Sequence, residues 1–263
     1  FTSRPVGDAM ATTIWGTSSS WTLTALPLFV WMGEILFRTK LSENLFEGLS
    51  PWMQKLPGGL IHVNVIGCAL FAAISGSSAA TVATVGKMSI PELRKRNYPE
   101  KILLGSLAGS GTLGLLIPPS IILIIYGVAV QESIAKLFIA GIIPGIMIAL
   151  IFMSYVIIWS LINKKEMPKI LEEFSFLEKI KRSKQLLPVI LLILAVIGSI
   201  YTGIATATEA ASLGVVGALI LSYFQKSLTL KTFKSSFLGA TKTSCMIAFI
   251  LAGSTFLSLA MGF

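Results

Sequence analysis

The stretch FAAISGSSAAT, residues 71–81, decides the fold of this chain. It lies in a charge-free segment, 56–86, which is too short for two membrane crossings of about 20 residues each. The segment breaks at SGSS, residues 75–78, and such a break is tolerated at membrane depth only where it faces protein or a water-filled cavity. The pattern predicts a re-entrant helical hairpin over 59–90. One continuous helix with a small-residue packing face is the alternative, because Gly and Ser are common at helix contacts in membranes.

The composition around this stretch is that of a membrane protein. Charged residues make up 13% of the chain and hydrophobic residues 54%, whereas a soluble domain carries roughly 25% charge. Charge-free stretches long enough to span a bilayer cover 9–33, 56–86, 102–131, 137–163, 185–208 and 243–263. We therefore predict an all-α polytopic membrane protein. The basic residues lie in short loops between apolar runs, which argues against a nucleic-acid partner.

A second interruption lies in 102–130. Its glycine-rich run GSGTLG, 109–114, is followed by PPS at 118–120. Each proline lacks an N–H and leaves backbone carbonyls in need of other partners. Helical character before 109 and again from Ile121 predicts a discontinuous transmembrane helix, with non-helical backbone from Gly109 onwards. A simple proline kink is the alternative.

The loop charges predict the orientation. Loops 87–101, 164–184 and 226–242 carry most of the 21 Lys and Arg residues, and the positive-inside rule places them in the cytoplasm. Loop 131–136 then lies outside, with Lys136 as its basic residue. A hairpin at 59–90 would also place loop 38–55 inside, and the basic asymmetry favours this arrangement mildly.

The two interruptions together predict one site. Backbone carbonyls and hydroxyls are hard oxygen donors that suit a dehydrated Na⁺, and helix N-termini favour an anionic group. We predict that a Na⁺ ion is held by Ser75, Gly76, Ser77, Gly111, Thr112, Gly114 and Pro118. We predict that the substrate is bound beside it, by Ser78, Ala79, Thr81 and Ser120.

Proton coupling would require a buried acid or histidine. The candidates in this chain are Glu34, His62 and Glu209. Glu34 has Arg38 one turn later and is expected to pair with it. His62 is expected to cap or pack near the start of the hairpin, and Glu209 to contact a partner helix near the external turn.

At these residues the sequence resembles the large membrane subunit, the DctM type, of tripartite ATP-independent periplasmic (TRAP) transporters. The resemblance runs from about residue 20 to the end. Its ordered matches are ALPLF at 25–29, GE at 33–34, FAAISGSSAAT at 71–81, GLLIPPS at 114–120, YG at 126–127, SIAKLF at 133–138, AGIIPG at 140–145 and TATEA at 206–210.

The resemblance implies a Na⁺-driven importer of small carboxylates in the bacterial inner membrane, and not an enzyme. It implies an elevator mechanism, a small membrane subunit (DctQ type) and a periplasmic substrate-binding protein (DctP type) as partners. Two inverted repeats are expected, each with one hairpin and one broken helix. This chain shows one such pair, so we expect the natural chain to continue beyond Phe263.

Five segments follow from this plan. Residues 1–37 hold a leading segment and the first core helix, 38–58 form a cytoplasmic amphipathic arm, and 59–136 form the core of the transport domain. Residues 137–242 form scaffold helices with cytoplasmic arms at 164–184 and 226–242, and 243–263 begin the second repeat.

Other carriers and other classes of protein remain open on the residues alone. A Na⁺/dicarboxylate or citrate symporter of related inverted-repeat architecture would work without a binding protein. A channel subunit would lack saturable, Na⁺-coupled uptake. An intramembrane enzyme is disfavoured, because the sequence offers no Ser/His/Asp, His-rich or paired-acid constellation.

Overall fold

The computed structural model of the chain describes residues 6–39, 41–168 and 174–261, and every regular element in these ranges is helical. In chain order, their α-helices are α1 (Val6–Ser18), α2 (Ala25–Phe37), α3 (Leu41–Met53), α4 (Ile61–Ser75), α5 (Ser78–Lys95), α6 (Glu100–Gly111), α7 (Ile121–Val130), α8 (Ile134–Ile162), α9 (Phe176–Ser183), α10 (Leu187–Tyr201), α11 (Ala207–Phe224) and α12 (Leu230–Met261). Short 3₁₀ helices, Trp21–Thr24 and Thr112–Leu115, precede α2 and follow α6.

Several of these helices suit a bilayer. Among the described residues, α8, α11 and α12 are each long and apolar enough to cross a membrane, and the number rises to five if two bent helix pairs are each counted as one span. The outer surface of α8 is strongly apolar, with Ile143 77% and Ile162 76% exposed. Exposed apolar surface of this extent is stable in lipid but not in water. The predicted class, an all-helical polytopic membrane protein, agrees with this structure.

Residues 61–95 form a helical hairpin. Helix α4 ends at Ser75, Gly76 adopts a left-handed conformation with φ 58°, and Ser77 caps the start of α5. Gly67 and Val85 are equally far from Gly76 along the chain, and a Cβ atom at Gly67 would lie 3.5 Å from Val85 Cγ1. The two arms are therefore antiparallel, which rules out one continuous helix over this stretch.

The base of the hairpin is also closed. The Leu60 N–H, just before α4, donates to the hydroxyl of Tyr98, just after α5, at 3.0 Å. The chain thus enters and leaves the hairpin at the same end. The pKa of the Tyr98 hydroxyl is raised because the group is buried. This hydrogen bond and the nearby charge of Arg96 offset part of that rise.

The second interruption is shorter than the sequence predicts. The run 109–114 was expected to be non-helical, but α6 continues to Gly111 and a 3₁₀ helix continues to Leu115. The glycines serve close packing instead, because a Cβ atom at Gly111 would overlap Val82 Cγ2 of the hairpin. The break itself covers residues 116–120, where the two prolines supply no N–H. It separates α7 from the preceding helix completely and is not a kink.

Helix α2 lies at the centre of the molecule and supports the hairpin tip. A Cβ atom at Gly33 would lie 2.9 Å from the Cα of Ser75. On another side, Phe29 contacts Phe138 of α8 with ring centroids 5.9 Å apart. Eight of the thirteen residues of α2 are buried, so this helix fixes the position of the tip against the rest of the fold.

Two predicted segment boundaries fall inside helices. A boundary was predicted between 242 and 243, but α12 runs without a break from Leu230 to Met261. Its first third contains no proline, and the charge at Lys242 marks a change of environment rather than the end of a helix. Likewise α8 begins at Ile134, ahead of the boundary predicted at 137.

The predicted arms contain α3, within 38–58, and α9, within 164–184; residues 169–173 of the second arm lie outside the described part of the chain. The two helices contact each other. The indole N–H of Trp52 donates to Ser183 Oγ at 2.7 Å, and the Lys179 ammonium lies 5.5 Å from the centroid of the Trp52 ring. The predicted cytoplasmic arms therefore meet, through α3 and α9, on one side of the molecule.

Candidate functional site

The hairpin tip meets the interruption before α7 through main-chain atoms. The Ile121 N–H donates to the carbonyl oxygen of Gly76 at 3.2 Å. A Cβ atom at Gly76 would lie 2.5 Å from the carbonyl oxygen of Pro119, and one at Gly114 would lie 2.9 Å from the carbonyl carbon of Ser77. The structure thus brings together the two breaks that the sequence analysis singled out.

The hydroxyls of Ser75, Ser77 and Thr81 hold the tip in shape. Ser75 Oγ lies 3.0 Å from Thr81 Oγ1 and accepts from the Ser77 N–H at 3.3 Å. Ser77 Oγ accepts from the Ala80 N–H at 3.4 Å, as the N-cap of α5. An N-cap bond of this type satisfies one of the free donors at the start of a helix. The predicted ion-binding residues Ser75, Gly76 and Ser77 are therefore ordered by their own local contacts.

The first turn of α5 carries a polar group that nothing satisfies. Ser78 Oγ is buried, and no hydrogen-bond partner for it lies in the described part of the chain. A buried hydroxyl without a partner costs free energy. The next residue, Ala79, is exposed, so this turn lies at the edge of an accessible space. A ligand that accepted a hydrogen bond from Ser78 would remove the penalty.

The N-termini of two helices lie next to each other at the hairpin tip. Helix α5 starts at Ser78 and α7 starts at Ile121, and the contact between Gly76 and Ile121 brings the two starts together. The N-cap of α7, Ser120, makes no cap hydrogen bond, because its hydroxyl donates to the Leu115 carbonyl at 2.7 Å. The N–H groups and dipoles of two helices make this place favourable for an anion.

Three predicted site residues have other roles in the structure. Thr112 was expected to supply an oxygen to the ion, but its side chain is exposed and its hydroxyl donates to the Gly109 carbonyl at 2.7 Å. The helical turn at 109–115 directs Gly111 and Gly114 towards the hairpin and leaves Thr112 on the other side. Thr81 and Ser120 are fully buried, so they shape the tip and the break rather than line an open site. The structure places Pro118 among the buried residues of the break.

Sequence reasoning missed Asn64, a polar residue between the hairpin and α6. Its Nδ2 donates to the Leu103 carbonyl at 3.2 Å and to Ser106 Oγ at 3.0 Å. Its Oδ1 is buried, and no partner for it lies within the described residues. The available signal was one amide side chain in a mostly apolar stretch, IHVNVIGCAL at 61–70, whose other polar side chain is His62.

The side chains considered for proton handling have structural partners. Glu34 and Arg38 form the expected ion pair. His62 is fully buried, and its Nε2 lies 2.8 Å from the Pro57 carbonyl oxygen. Glu209 was expected to contact a partner helix. In the described residues its carboxylate accepts from the N–H and the hydroxyl of Thr206, both at 2.8 Å, and caps its own helix α11.

The chain was compared with known families and proteins. The family described as "Tripartite ATP-independent periplasmic transporter, DctM component" matches it over residues 1–263. The chain belongs to this family. The resemblance inferred from the motifs is therefore confirmed, and so is the expectation of a transporter component rather than an enzyme.

Curated relatives of this DctM-family chain transport different compounds, by their names. It is 34% identical, over 94% of its length and 57% of the relative, to the C4-dicarboxylate TRAP transporter large permease protein DctM of Pseudomonas aeruginosa. It is 34% identical, over 90% of its length and 38% of the relative, to the sialic acid TRAP transporter permease protein SiaT of Haemophilus influenzae. It is 32% identical, over 94% of its length and 39% of the relative, to the isethionate TRAP transporter permease protein DctMQ of Oleidesulfovibrio alaskensis.

The chain spans between 38% and 57% of the length of these three curated relatives. The hairpin and the broken segment both lie within the matched part. The candidate site described above therefore belongs to the region that this chain shares with TRAP permeases.

Proposed function

We propose that this chain carries one half of a Na⁺-coupled transport site for a small organic acid in the bacterial inner membrane. This proposal rests mainly on one observation. Two helix N-termini meet at the hairpin tip, beside the hydroxyl of Ser78, which is buried and has no hydrogen-bond partner among the described residues. Its relatives include transporters named for C4-dicarboxylates, sialic acid and isethionate. These are all small anions, the kind of ligand that helix N-termini favour.

The proposed Na⁺ ion would bind at the contact between the hairpin tip and the break before α7, on the side away from the substrate. The interior of a helix offers no free carbonyl oxygens, because they accept intrahelical hydrogen bonds. Two breaks in contact place several carbonyls outside continuous helices, at Ser75–Ser77 and near Gly114 and Pro118. The Gly76 and Ser77 carbonyls each accept one N–H and keep a second lone pair that can face an ion. The close approach at Gly111 brings the two segments near enough to share an ion. An ion held there would fix the tip against the break and preshape the neighbouring substrate site, which is a form of coupling between two ligands.

The wider mechanism follows from the family. We propose an elevator movement of the hairpin and the broken segment against a scaffold that includes α8, α10 and α11. The contact between α3 and α9 supports a role for them as connecting arms on the cytoplasmic side. The proposed partners are a small membrane subunit and a periplasmic binding protein that delivers the substrate.

The test is uptake by proteoliposomes that contain the full-length protein and both partners. Ser78→Ala removes a proposed ligand without breaking any hydrogen bond in the described structure. Loss of one hydrogen bond to a charged group costs about 1.5–3 kcal/mol. We therefore expect the half-saturating substrate concentration to rise about tenfold or more while the thermal stability is kept. Replacing Na⁺ by K⁺ should abolish uptake.

Thr112→Val is the matched control, because the Thr112 hydroxyl is exposed and bound within its own helix. Thr112→Val should leave the half-saturating concentrations of substrate and of Na⁺ unchanged. A substrate affinity in Ser78→Ala equal to that of the parent protein would refute the anion site. Equal uptake in K⁺ would refute sodium coupling. Full uptake without the binding protein would refute the tripartite mechanism.

A further inference from the structure

Helix α12 carries a basic face that the transport site does not use. Lys231, Lys234 and Lys242 are exposed and lie on the same side of its N-terminal third, with Ser235 and Leu238 between them. Together with Arg38 from the end of α2 they line an open cleft of about 410 Å³. We call these three lysines and Arg38 the basic face.

The guanidinium of Arg38 is fixed in place at this cleft. Its Nε donates to Ser235 Oγ on α12 at 3.1 Å, and its Nη1 contacts the Glu34 carboxylate and donates to the Glu34 carbonyl at 3.0 Å. The Glu34 charge is thereby balanced by Arg38. Within the described residues, Lys231, Lys234 and Lys242 have no carboxylate partner. The face therefore has a net positive charge of about three, carried on a rigid helix.

The length of α12 determines where this face lies in a membrane. Its charge-free part, 243–261, is about 28 Å long at 1.5 Å per residue, close to the roughly 30 Å of the hydrocarbon core. Lys242 then lies at the boundary of the hydrocarbon. Lys234 and Lys231 lie about 12 Å and 16 Å further along the helix axis, on the aqueous side of the headgroup layer and within about a Debye length of its charges. Two neighbouring aromatic side chains, Phe233 and Phe237, are 37% and 50% exposed, and both contact Trp31 of α2. Of these three aromatic residues, the tryptophan is of the type enriched at the membrane interface.

We infer that the basic face binds anionic phospholipid headgroups of the cytoplasmic leaflet. Three unpaired ammonium groups spread over about 16 Å of one helical face are attracted to the negative charge of a surface of such headgroups, and basic pockets between membrane helices on the cytoplasmic side favour anionic lipids. The exposed side chain of Leu238, 48% accessible between the lysines, adds an apolar contact at the level of the headgroups. A zwitterionic headgroup would leave the face unneutralised.

A free phosphate ion shares the headgroup chemistry but lacks the acyl chains, which would lie along the apolar surface of α12. That surface includes Met246, Phe249 and Ile250, which are 58%, 83% and 61% exposed. The lipid is therefore the better match, because it engages both the lysines and the apolar surface below them.

The experiment measures lipid binding by the purified full-length protein in detergent. Binding of phosphatidylglycerol is followed by native mass spectrometry and by the rise in melting temperature. The test variant carries Lys231→Gln, Lys234→Gln and Lys242→Gln. Each lysine near an anionic headgroup is worth about 1 kcal/mol, or roughly fivefold in affinity, so binding should weaken by on the order of 100-fold. Lys231→Arg, Lys234→Arg and Lys242→Arg together should retain it.

A matched control removes the same number of charges elsewhere on the same predicted side, with Lys164→Gln, Lys165→Gln and Lys184→Gln. It should bind phosphatidylglycerol as the parent protein does. The inference is overturned if the test variant and this control lose binding equally, or if phosphatidylcholine binds as well as phosphatidylglycerol. Equal stabilisation by inorganic phosphate would show an ion site instead of a lipid site. Loss of the small membrane subunit from the test variant, without loss of lipid, would assign the face to a protein partner.

Discussion

Single glycines set the geometry of the tip, and they do so for different reasons. Gly76 provides the left-handed backbone that turns the hairpin, while Gly114 and Gly33 allow backbone atoms of other segments to come close. The sequence predicted the turn because a Ser/Gly cluster interrupts an apolar run. It did not predict which glycines serve contact instead of reversal, because both uses give the same residue. Thr112 lies in the same glycine-rich run, and the sequence does not show which side of the turn its hydroxyl faces.

Gly76→Ala tests the turn. Alanine in a left-handed conformation costs about 1–2 kcal/mol, and its Cβ would also lie 2.5 Å from the Pro119 carbonyl oxygen. We expect a lower melting temperature in detergent and a loss of uptake. Gly105→Ala is the control, since a Cβ atom there would meet nothing within 4 Å and the residue lies inside α6. It should be neutral or slightly stabilising, and equal effects of the two changes would contradict the turn geometry.

At the scale of whole elements, charge and helix ends are separate signals. The prediction placed a boundary at Lys242, yet α12 continues through it. A lysine shows where a helix leaves the hydrocarbon, whereas a helix ends where its backbone loses hydrogen bonds or meets proline or glycine. The break before α7 was predicted because proline acts on the backbone directly. The helical structure of the preceding run, 109–114, was not predicted, because glycine is compatible with a helix when close packing holds it.

The contact between α2 and α12 can be tested within a single helix. A Cβ atom at Gly239 would lie 2.6 Å from the Glu34 carboxylate, whereas one at Gly253 would meet nothing within 4 Å. Gly253→Ala should stabilise the protein by up to about 1 kcal/mol, the helix propensity gain. Gly239→Ala should lose that gain or lower the melting temperature, because Glu34 is held by Arg38. In a Glu34→Ala background the difference between the two variants should shrink, and a constant difference would contradict the contact.

At the scale of the whole molecule, the closed base of the hairpin bears on the topology. Because Leu60 and Tyr98 meet, the loops before α4 and after α5 lie on one side, and the charge pattern assigns that side to the cytoplasm. The all-helical membrane class, the turn of the hairpin and a break at the two prolines could be predicted from the sequence, but the end of the helix before that break could not. The packing of α2 behind the tip could not, since no pattern within α2 records which helices surround it.

Lys95→Cys and Glu132→Cys test this orientation in a background without Cys68 and Cys245. Both positions are exposed, one after the hairpin and one between α7 and α8. In intact cells an impermeant thiol reagent should label position 132 and leave position 95 unlabelled until the membrane is opened. Labelling of position 95 from outside would overturn the topology.

The bond between the Gly76 carbonyl and the Ile121 N–H has an evolutionary consequence. It joins the two breaks through atoms that every residue except proline possesses, so mutation of nearby side chains leaves it intact. Relatives named for dicarboxylates, sialic acid and isethionate differ in the size and polarity of their cargo. Under the proposed function, a lineage with this architecture could accept new cargo by changing residues around Ser78 while it keeps this main-chain bond.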